Sequence, residues 1–473
     1  MRPFLFSLGL LFCAPTIVVA QADYFIGDTL ELPTLANRDA DHAVIAVNRY
    51  GDVVVANHTS VGMHSKAVEA NVITPIGRSA TDGFSLHNTI LVGDPTLNIF
   101  SSGADSCTKP DVEALSDNSF VLVWSRHDLS LQENSRLETC RIFTRDLQGN
   151  LLNQPKVIRV QRGEGFVIND TSTSGEAGFM PDIAAFTDSV TNRSFVVYAH
   201  EQENRTLHSA QIREYEIRVN KIDWPMRYGA PDIGNTISLE SGIPIDNYTA
   251  SPYNGGLVLP DAVIDDFGHL VVVFEQYVIA PHLGHSGTPH GTIQMRRYLA
   301  SPLSLLDSIE FQGYTPDAHS RRPMIATSDL DSSNDILLSY VDLGDNRDDL
   351  HRAHFKKIRF STSASGHSAP LSLPWDESVG IQDDLPNVAK SGNAQMMISS
   401  RTFPNSFKLS SMTSSPSSLI SNGRVQTQIN YPWRPAAKIF DFNNFSVGYY
   451  AFEGANIYDP SQYKVYFKIQ KLN

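Results

Sequence analysis

The chain runs to 473 residues and carries 51 acidic against 37 basic side chains, a formal net charge of −14. That balance argues against nonspecific nucleic-acid binding, which relies on basic surface to displace counterions from phosphates, and it favours solubility. After the first twenty or so residues no apolar run approaches the roughly 20 residues that a membrane-spanning helix needs.

Residues 1–22 read as a signal peptide: Arg2 supplies the positive start, Leu5 to Val19 is mostly apolar, and Val18-Val-Ala20 or Ala20-Gln-Ala22 offers small residues for cleavage. Cys13 lies inside the apolar region, where it fills the leader. The mature protein is then one domain, 23–473, secreted or periplasmic. Six Asn-x-Ser/Thr triplets, at Asn57, Asn169, Asn192, Asn204, Asn247 and Asn444, matter only if the source is eukaryotic.

One clause then recurs seven times: a proline or its equivalent, an alternating stretch, a polar turn, and an apolar run. It begins at His42 (with Val53 to Val55), runs from Pro110 to Trp124, from Pro181 with Phe195 to Tyr198, and from Pro260 to Phe274. Weaker copies begin at Pro323 (Ile336 to Tyr340), Pro386 (Met396 to Ile398) and Pro435 (Phe445 to Tyr450). Each clause reads as two strands joined by a tight turn of Asp, Asn, Ser or Gly. Third strands alternate apolar and charged residues, as in Leu137 to Arg145, Gln211 to Val219, Thr292 to Tyr298, His354 to Phe360 and Tyr463 to Ile469. Fourth strands show in Lys156 to Val160, Asn235 to Leu239 and Arg424 to Ile429.

Four antiparallel strands per repeat, graded from buried to exposed, describe a β-propeller blade, so the expectation is an all-β, seven-bladed propeller. The last repeat lacks an outer strand. Tyr24 to Leu32, lying before the first clause, can supply it and close the ring. Ser410 to Ser421 reads as a surface loop within the sixth repeat. The clause's proline tolerates a missing N–H at the first strand position, and the Asp after it (Asp111, Asp182, Asp261) reads as a bonder of neighbouring backbone. The two cysteines that remain in the mature chain, Cys107 and Cys140, are expected to form a disulfide inside the second repeat.

Propeller topology sorts the loops by face. Of 15 histidines, nine fall in loops between second and third strands: His58, His64, His127, His200, His208, His282, His285, His290 and His351. His319, in a loop between blades, belongs to the same face, together with Arg126, Arg205, Arg321, Arg322, Arg347 and Arg401. Imidazoles titrate near neutrality, ligate metals and move protons, so this face is the expected ligand-binding site, with His127, His200, His208, His319, Arg321, Arg322 and His351 as its candidates. Tyr253, Tyr277 and Trp433 would add stacking surfaces for sugars or anchors for a protein partner. His282, His285 and His290, spaced His-x-x-His with a third five residues on, are candidates for a divalent metal such as zinc. Asp329 to Asp335 and Asp342 to Asp349 are acidic loops; the second, on the His-rich face, is a candidate for calcium. No Walker loop, Gly-x-Ser-x-Gly elbow or sialidase-type Asp box occurs.

The clauses resemble the tandem Pro-Asp-Val-Ala-x-Leu-x-Asp-Gly-x-Phe-Val-Val-Val-Trp repeats of exported bacterial β-propellers, and Pro110 to Trp124 matches almost position for position. The resemblance covers nearly the whole mature chain and implies fold rather than function. Trp124-Ser-Arg-His127 carries a narrower resemblance to seven-bladed propeller polysaccharide lyases such as ulvan lyases, in which His and Tyr act as acid and base and Arg neutralises a uronate carboxylate. It implies His127, His319, Tyr340, Arg321 and Arg322 as catalytic candidates. The histidine that those lyases place before a first strand is absent here, where Cys107-Thr-Lys109 stands. The expected function is therefore binding of an extracellular glycan or protein across the His/Arg-rich face, with a lyase acting on an anionic polysaccharide as the alternative.

Overall fold

A computed structural model describes residues 16–17, 23–24, 28–35, 39–61, 65–76, 83–95, 105–128, 135–159, 181–187, 191–207, 210–225, 238–250, 260–278, 290–311, 319–327, 335–343, 351–361, 366–372, 384–391, 394–400, 406–412, 419–427, 429, 432–442, 445–455 and 463–472. All regular structure among them is β. Sheet 1 holds β1 (Thr16–Ile17), β2 (Asp23–Tyr24), β4 (Ala40–Val47), β5 (Val53–Ser60), β6 (Lys66–Pro75) and β7 (Phe84–Gly93). Sheet 2 comprises β8 (Asp105–Ala114), β9 (Phe120–Asp128), β10 (Ser135–Arg145) and β11 (Leu151–Arg159). In sheet 3 are β12 (Asp182–Thr187), β13 (Thr191–Leu207), β14 (Ala210–Pro225) and β15 (Ser238–Ala250). Sheet 4 follows with β16 (Asp261–Ile264), β17 (Leu270–Val278), β18 (His290–Ala300) and β19 (Leu303–Phe311). Sheet 5 has β20 (His319–Ala326), β21 (Asp335–Leu343), β22 (His351–Arg359) and β23 (Leu371–Ser372). Sheet 6 has β24 (Asp384–Ser391), β25 (Ala394–Ser400), β26 (Ser406–Met412) and β27 (Leu419–Gln426). Sheet 7 joins β28 (Trp433–Phe442), β29 (Phe445–Ala455) and β30 (Tyr463–Leu472) to β3 (Thr29–Glu31) from the other end of the chain.

Six of these sheets are four-stranded antiparallel propeller blades, which corrects the expectation of seven alike. Sheet 1 departs because β1 and β2 both pair with β7, Thr16 opposite Ile90 and Tyr24 opposite Phe84, adding a broken strand along its outer edge. The segment expected to complete the last blade is divided accordingly. Tyr24 goes to sheet 1, while Thr29, Leu30 and Glu31 pair with Lys468, Phe467 and Tyr466 of sheet 7. The Leu32 amide extends that junction by donating to the Val465 carbonyl at 2.9 Å.

The first strands touch one another in the order β4, β8, β12, β16, β20, β24, β28, and β28 returns to β4. Packing follows the two-residue strand period. Val53 and Val55 face sheet 7 in a cluster with Tyr449 and Phe467, whereas Val54 and Ala56 face sheet 2 in a cluster with Leu122 and Trp124. Second strands are apolar on both faces because each face meets a neighbouring sheet. Asn57 and Asn192, two of the glycosylation-type triplets, are fully buried.

Cys107 and Cys140 are buried in one cluster and are not disulfide-bonded, contrary to expectation. Cys107 pairs with Arg126 and Cys140 with Leu122, on opposite sides of β9. Two strand spacings and four residues of rise put their Cα atoms about 17 Å apart, beyond the ~7 Å that a bridge spans.

The Asp that follows the clause's proline joins one sheet to the next. Asp111 accepts from the Ile183 amide at 2.7 Å, Asp182 from Ala262 at 2.7 Å, and Asp261 from Ile325 at 2.6 Å. An innermost strand leaves edge amides without a ladder partner, and these carboxylates satisfy them. Burial first, and for Asp182 the neighbouring carboxylates Asp261 and Asp111, push the group upward: Asp111 to about 7, Asp261 to about 6, Asp182 well above its ordinary value.

Candidate functional site

A bulge recurs at the start of the first strand in five of the seven sheets. Two residues of the first strand oppose one of the second between Asp41 and Val44, Thr108 and Asp111, Arg321 and Met324, Asp384 and Asn387, and Trp433 and Ala436. In four of these five the second bulge residue is the clause's proline; Ala43 replaces it in sheet 1. Proline cannot donate to the ladder, so the strand bulges there rather than lose a bond within the pairing. The residue before it is thereby placed at one register position around the ring: His42, Lys109, Arg322, Leu385 and Arg434. In sheets 3 and 4 the described pairing begins just after the proline.

Two of these bulge residues lie in the left-handed region, His42 at φ 58° and Lys109 at φ 51°. Both amides are held by side chains from the end of the preceding sheet's second strand. The His42 amide donates to Glu453 Oε1 at 2.6 Å, and the Lys109 amide to His58 Nδ1 at 3.2 Å. Glu453 and His58 are equivalent positions, each opposite the residue that opens a bulge, Trp433 and Asp41.

Because Nδ1 of His58 accepts, its one proton sits on Nε2, which donates to Asp41. Lys66 Nζ lies 3.3 Å from the other Asp41 oxygen and 2.9 Å from His58 Nε2. Burial opposes the ionisation of Asp41, but the hydrogen bond from His58, with the basic side chains of Lys66 and His42, outweighs it and holds the carboxyl well below its usual range. The rings of His42 and His58 stack with centroids 5.8 Å apart. His58 is buried while His42, Lys66 and Lys109 are half-buried, so the cluster opens toward solvent through basic side chains.

Beside it, His127 Nε2 is 3.0 Å from Thr108 Oγ1. Burial and the Lys109 charge push His127 down to about 3, so it stays neutral. Arg126, almost wholly buried, bonds Glu138 Oε2 at 2.9 Å and the Asp94 carbonyl at 3.0 Å. On the far side of His58, Glu69 accepts from the Leu35 amide and from Thr59 Oγ1, each at 3.1 Å. Burial pushes Glu69 up to about 7. A carboxyl raised in the folded state stabilises fully below its ordinary value of 4.5, and that contribution is lost as pH rises through 7. Between pH 4.5 and 8.5 the part of the loss due to Glu69 is expected to be on the order of 3 kcal/mol, read as the difference in urea stability between wild type and Glu69→Gln, since Asp111, Asp182 and Asp261 are raised in both.

Of the other sequence candidates, His319, Arg321, Arg322, Tyr340 and His351 all belong to sheet 5. His319 and His351 both pair with Leu343, from opposite sides of β21, and Arg321 pairs with Val341. Tyr340 is buried, packed with Phe311 and stacked on His354 at 4.7 Å, and His354 Nε2 lies 2.6 Å from Asp342 Oδ2. His200, expected in a loop, lies within β13 opposite Glu216 because the β13–β14 hairpin is extended by several residues. His208, His282 and His285 lie outside the described residues, as does Tyr253; His290 opens β18, Tyr277 lies in β17, and Trp433 opens β28. Among the described residues no three His, Cys, Asp or Glu side chains converge as metal ligands. Of the two acidic loops, Asp335 pairs with Arg359 and Lys357, and Asp342 is the partner of His354.

The sequence reading passed over His42, Lys66, Lys109 and Glu453. The signal for two of them was present: each precedes the clause's proline or its equivalent.

No family model matches the chain, and no curated protein matches it. Likeness exists to solved structures. A polysaccharide lyase, ulvan lyase, bound to a GlcA–Rha3S saccharide aligns with a TM-score of 0.50 at 8% identity, covering 94% of this chain and 95% of that one. A protein of unknown function from Dyadobacter fermentans has a TM-score of 0.45 at 10% identity, over 97% of this chain and 99% of its own. An α-L-arabinanase of Penicillium chrysogenum complexed with arabinobiose gives 0.42 at 10%, over 84% and 98%. At such identities the ulvan lyase supports the propeller fold alone.

Proposed function

We propose that the protein is an exported β-propeller that binds an extracellular glycan across the face carrying His42, His58, Lys66, Lys109 and His127. One observation carries the reading: strand ends from sheets 7, 1 and 2 bring half-buried His and Lys side chains together, interlocked by Asp41 and Glu453. Such a surface combines fixed donors and acceptors with solvent access, which suits sugar hydroxyls and charged substituents. A glycan-bound propeller among the structures of like fold is in keeping with it.

The second reading is a lyase acting on an anionic polysaccharide. It is favoured by the His58–Asp41 pair beside Lys66, an arrangement able to hold and move a proton at Nε2. A glycan array run beside an ultraviolet assay for unsaturated uronate separates the two. Array binding without turnover supports the binding protein, release of unsaturated uronate establishes the lyase, and an array blank in every glycan class overturns both.

A further inference from the structure

We propose that His42 and Lys109, two strained basic residues at equivalent bulges of adjacent sheets, form an oxyanion-binding pair at the mouth of the ring. Arg322 and Arg434 occupy the same register position in sheets 5 and 7. The inference rests on the glycan-binding reading and gives that ligand its chemistry: a sugar chain bearing sulfate or carboxylate groups.

The first argument is strain. Among the described residues the left-handed, non-glycine positions are His42, Lys109 and Asn118. Asn118 lies in the turn between β8 and β9, where Asn adopts that conformation readily. His tolerates that region better than most side chains but Lys does not, and the residue before a proline, as Lys109 is, has a restricted backbone of its own. Glycine would relieve the cost at either site, yet the chain places a basic side chain at both. Backbone strain of this kind persists where surrounding structure over-determines it, and here the Glu453 and His58 side chains fasten each strained amide.

The second argument is repetition. Four of the five bulges put a basic residue at the same register position, in a chain whose net charge is −14. An acidic protein repels polyanions at long range, so cations gathered at one strand end are a local exception to its overall field. His58 completes the local arrangement. It contacts the strained segments of both sheets, by stacking on His42 and by accepting from the Lys109 amide.

The test uses isothermal titration calorimetry on the mature protein with dextran sulfate, carboxymethyl dextran and unmodified dextran at fixed ionic strength. Wild type is expected to bind the two charged polymers and not the neutral one. His42→Gly and Lys109→Gly should each weaken that binding about tenfold, while melting temperatures hold or rise because glycine accepts the left-handed backbone. Binding unchanged in both variants, equal binding of unmodified dextran, or a melting temperature that falls in both would overturn the proposal. If the charged dextrans fail while an array shows neutral glycans bound, the oxyanion pair is wrong and the glycan-binding face stands. If no glycan of any class binds, that face fails first.

Discussion

Replacing Arg297 by alanine is expected to destabilise the protein by about 3–5 kcal/mol, seen as a lower urea midpoint, because it strands a buried carboxylate. Arg297 and Asp265 both have side chains that are 0% exposed, with Nε donating to Oδ2 at 2.8 Å. The same guanidinium donates to the Ser361 carbonyl at 3.2 Å and to His269 Nδ1 at 2.8 Å, and lies 4.8 Å from the centre of the Phe360 ring. Asp265 meanwhile shapes the turn between β16 and β17, its Oδ1 accepting from the Phe267 and His269 amides at 2.9 Å each. Removing either partner leaves the other desolvated and unpaired. Asp265→Ala should therefore cost a similar amount, and the double variant much less than the sum. Additive losses would mean that the two side chains act independently.

His58→Ala should lower glycan affinity at least tenfold and cost about 1–3 kcal/mol of stability, since it leaves the Lys109 amide without its acceptor and Asp41 with Lys66 alone. His58→Gln separates the two effects. Its amide oxygen can accept from the Lys109 amide, so stability should largely return, but the flat ring beneath His42 is gone and affinity should stay low. Full recovery of binding in the glutamine variant would reduce His58 to a structural acceptor. Positioning by His58 is thus read from the split between melting temperature and affinity.

Much of the fold was legible because a propeller writes its strand order into a repeat. Val53 to Val55, Phe120 to Trp124 and Leu270 to Phe274 are apolar without interruption since both faces of those strands meet neighbouring sheets, and all are buried as their composition implied. The Asp residues after the prolines were read as bonders of neighbouring backbone, and Asp111, Asp182 and Asp261 do bond the backbone of the next sheet. Cys107 and Cys140 show the opposite case. Oxidation chemistry and proximity in the repeat suggested a bridge, but spacing across a sheet depends on which strand lies between, and here β9 does.

The site was less legible, for a physical reason. Searching loops for histidine found His127 in sheet 2 and His319 with His351 in sheet 5, whereas the cluster around His58 is built at strand ends from residues 42, 58, 66, 109 and 453 of sheets 7, 1 and 2. Local sequence pattern follows the hydrophobic period and the turns, so it states strand order and which residues are buried. Contacts between sheets depend instead on the closure of the ring, which brings Glu453 to His42 across 411 positions of the chain. The amino-acid pattern alone therefore established an all-β propeller of four-stranded antiparallel blades. Only the closed ring, through its bulges and the side chains that fasten them, decided which basic residues meet.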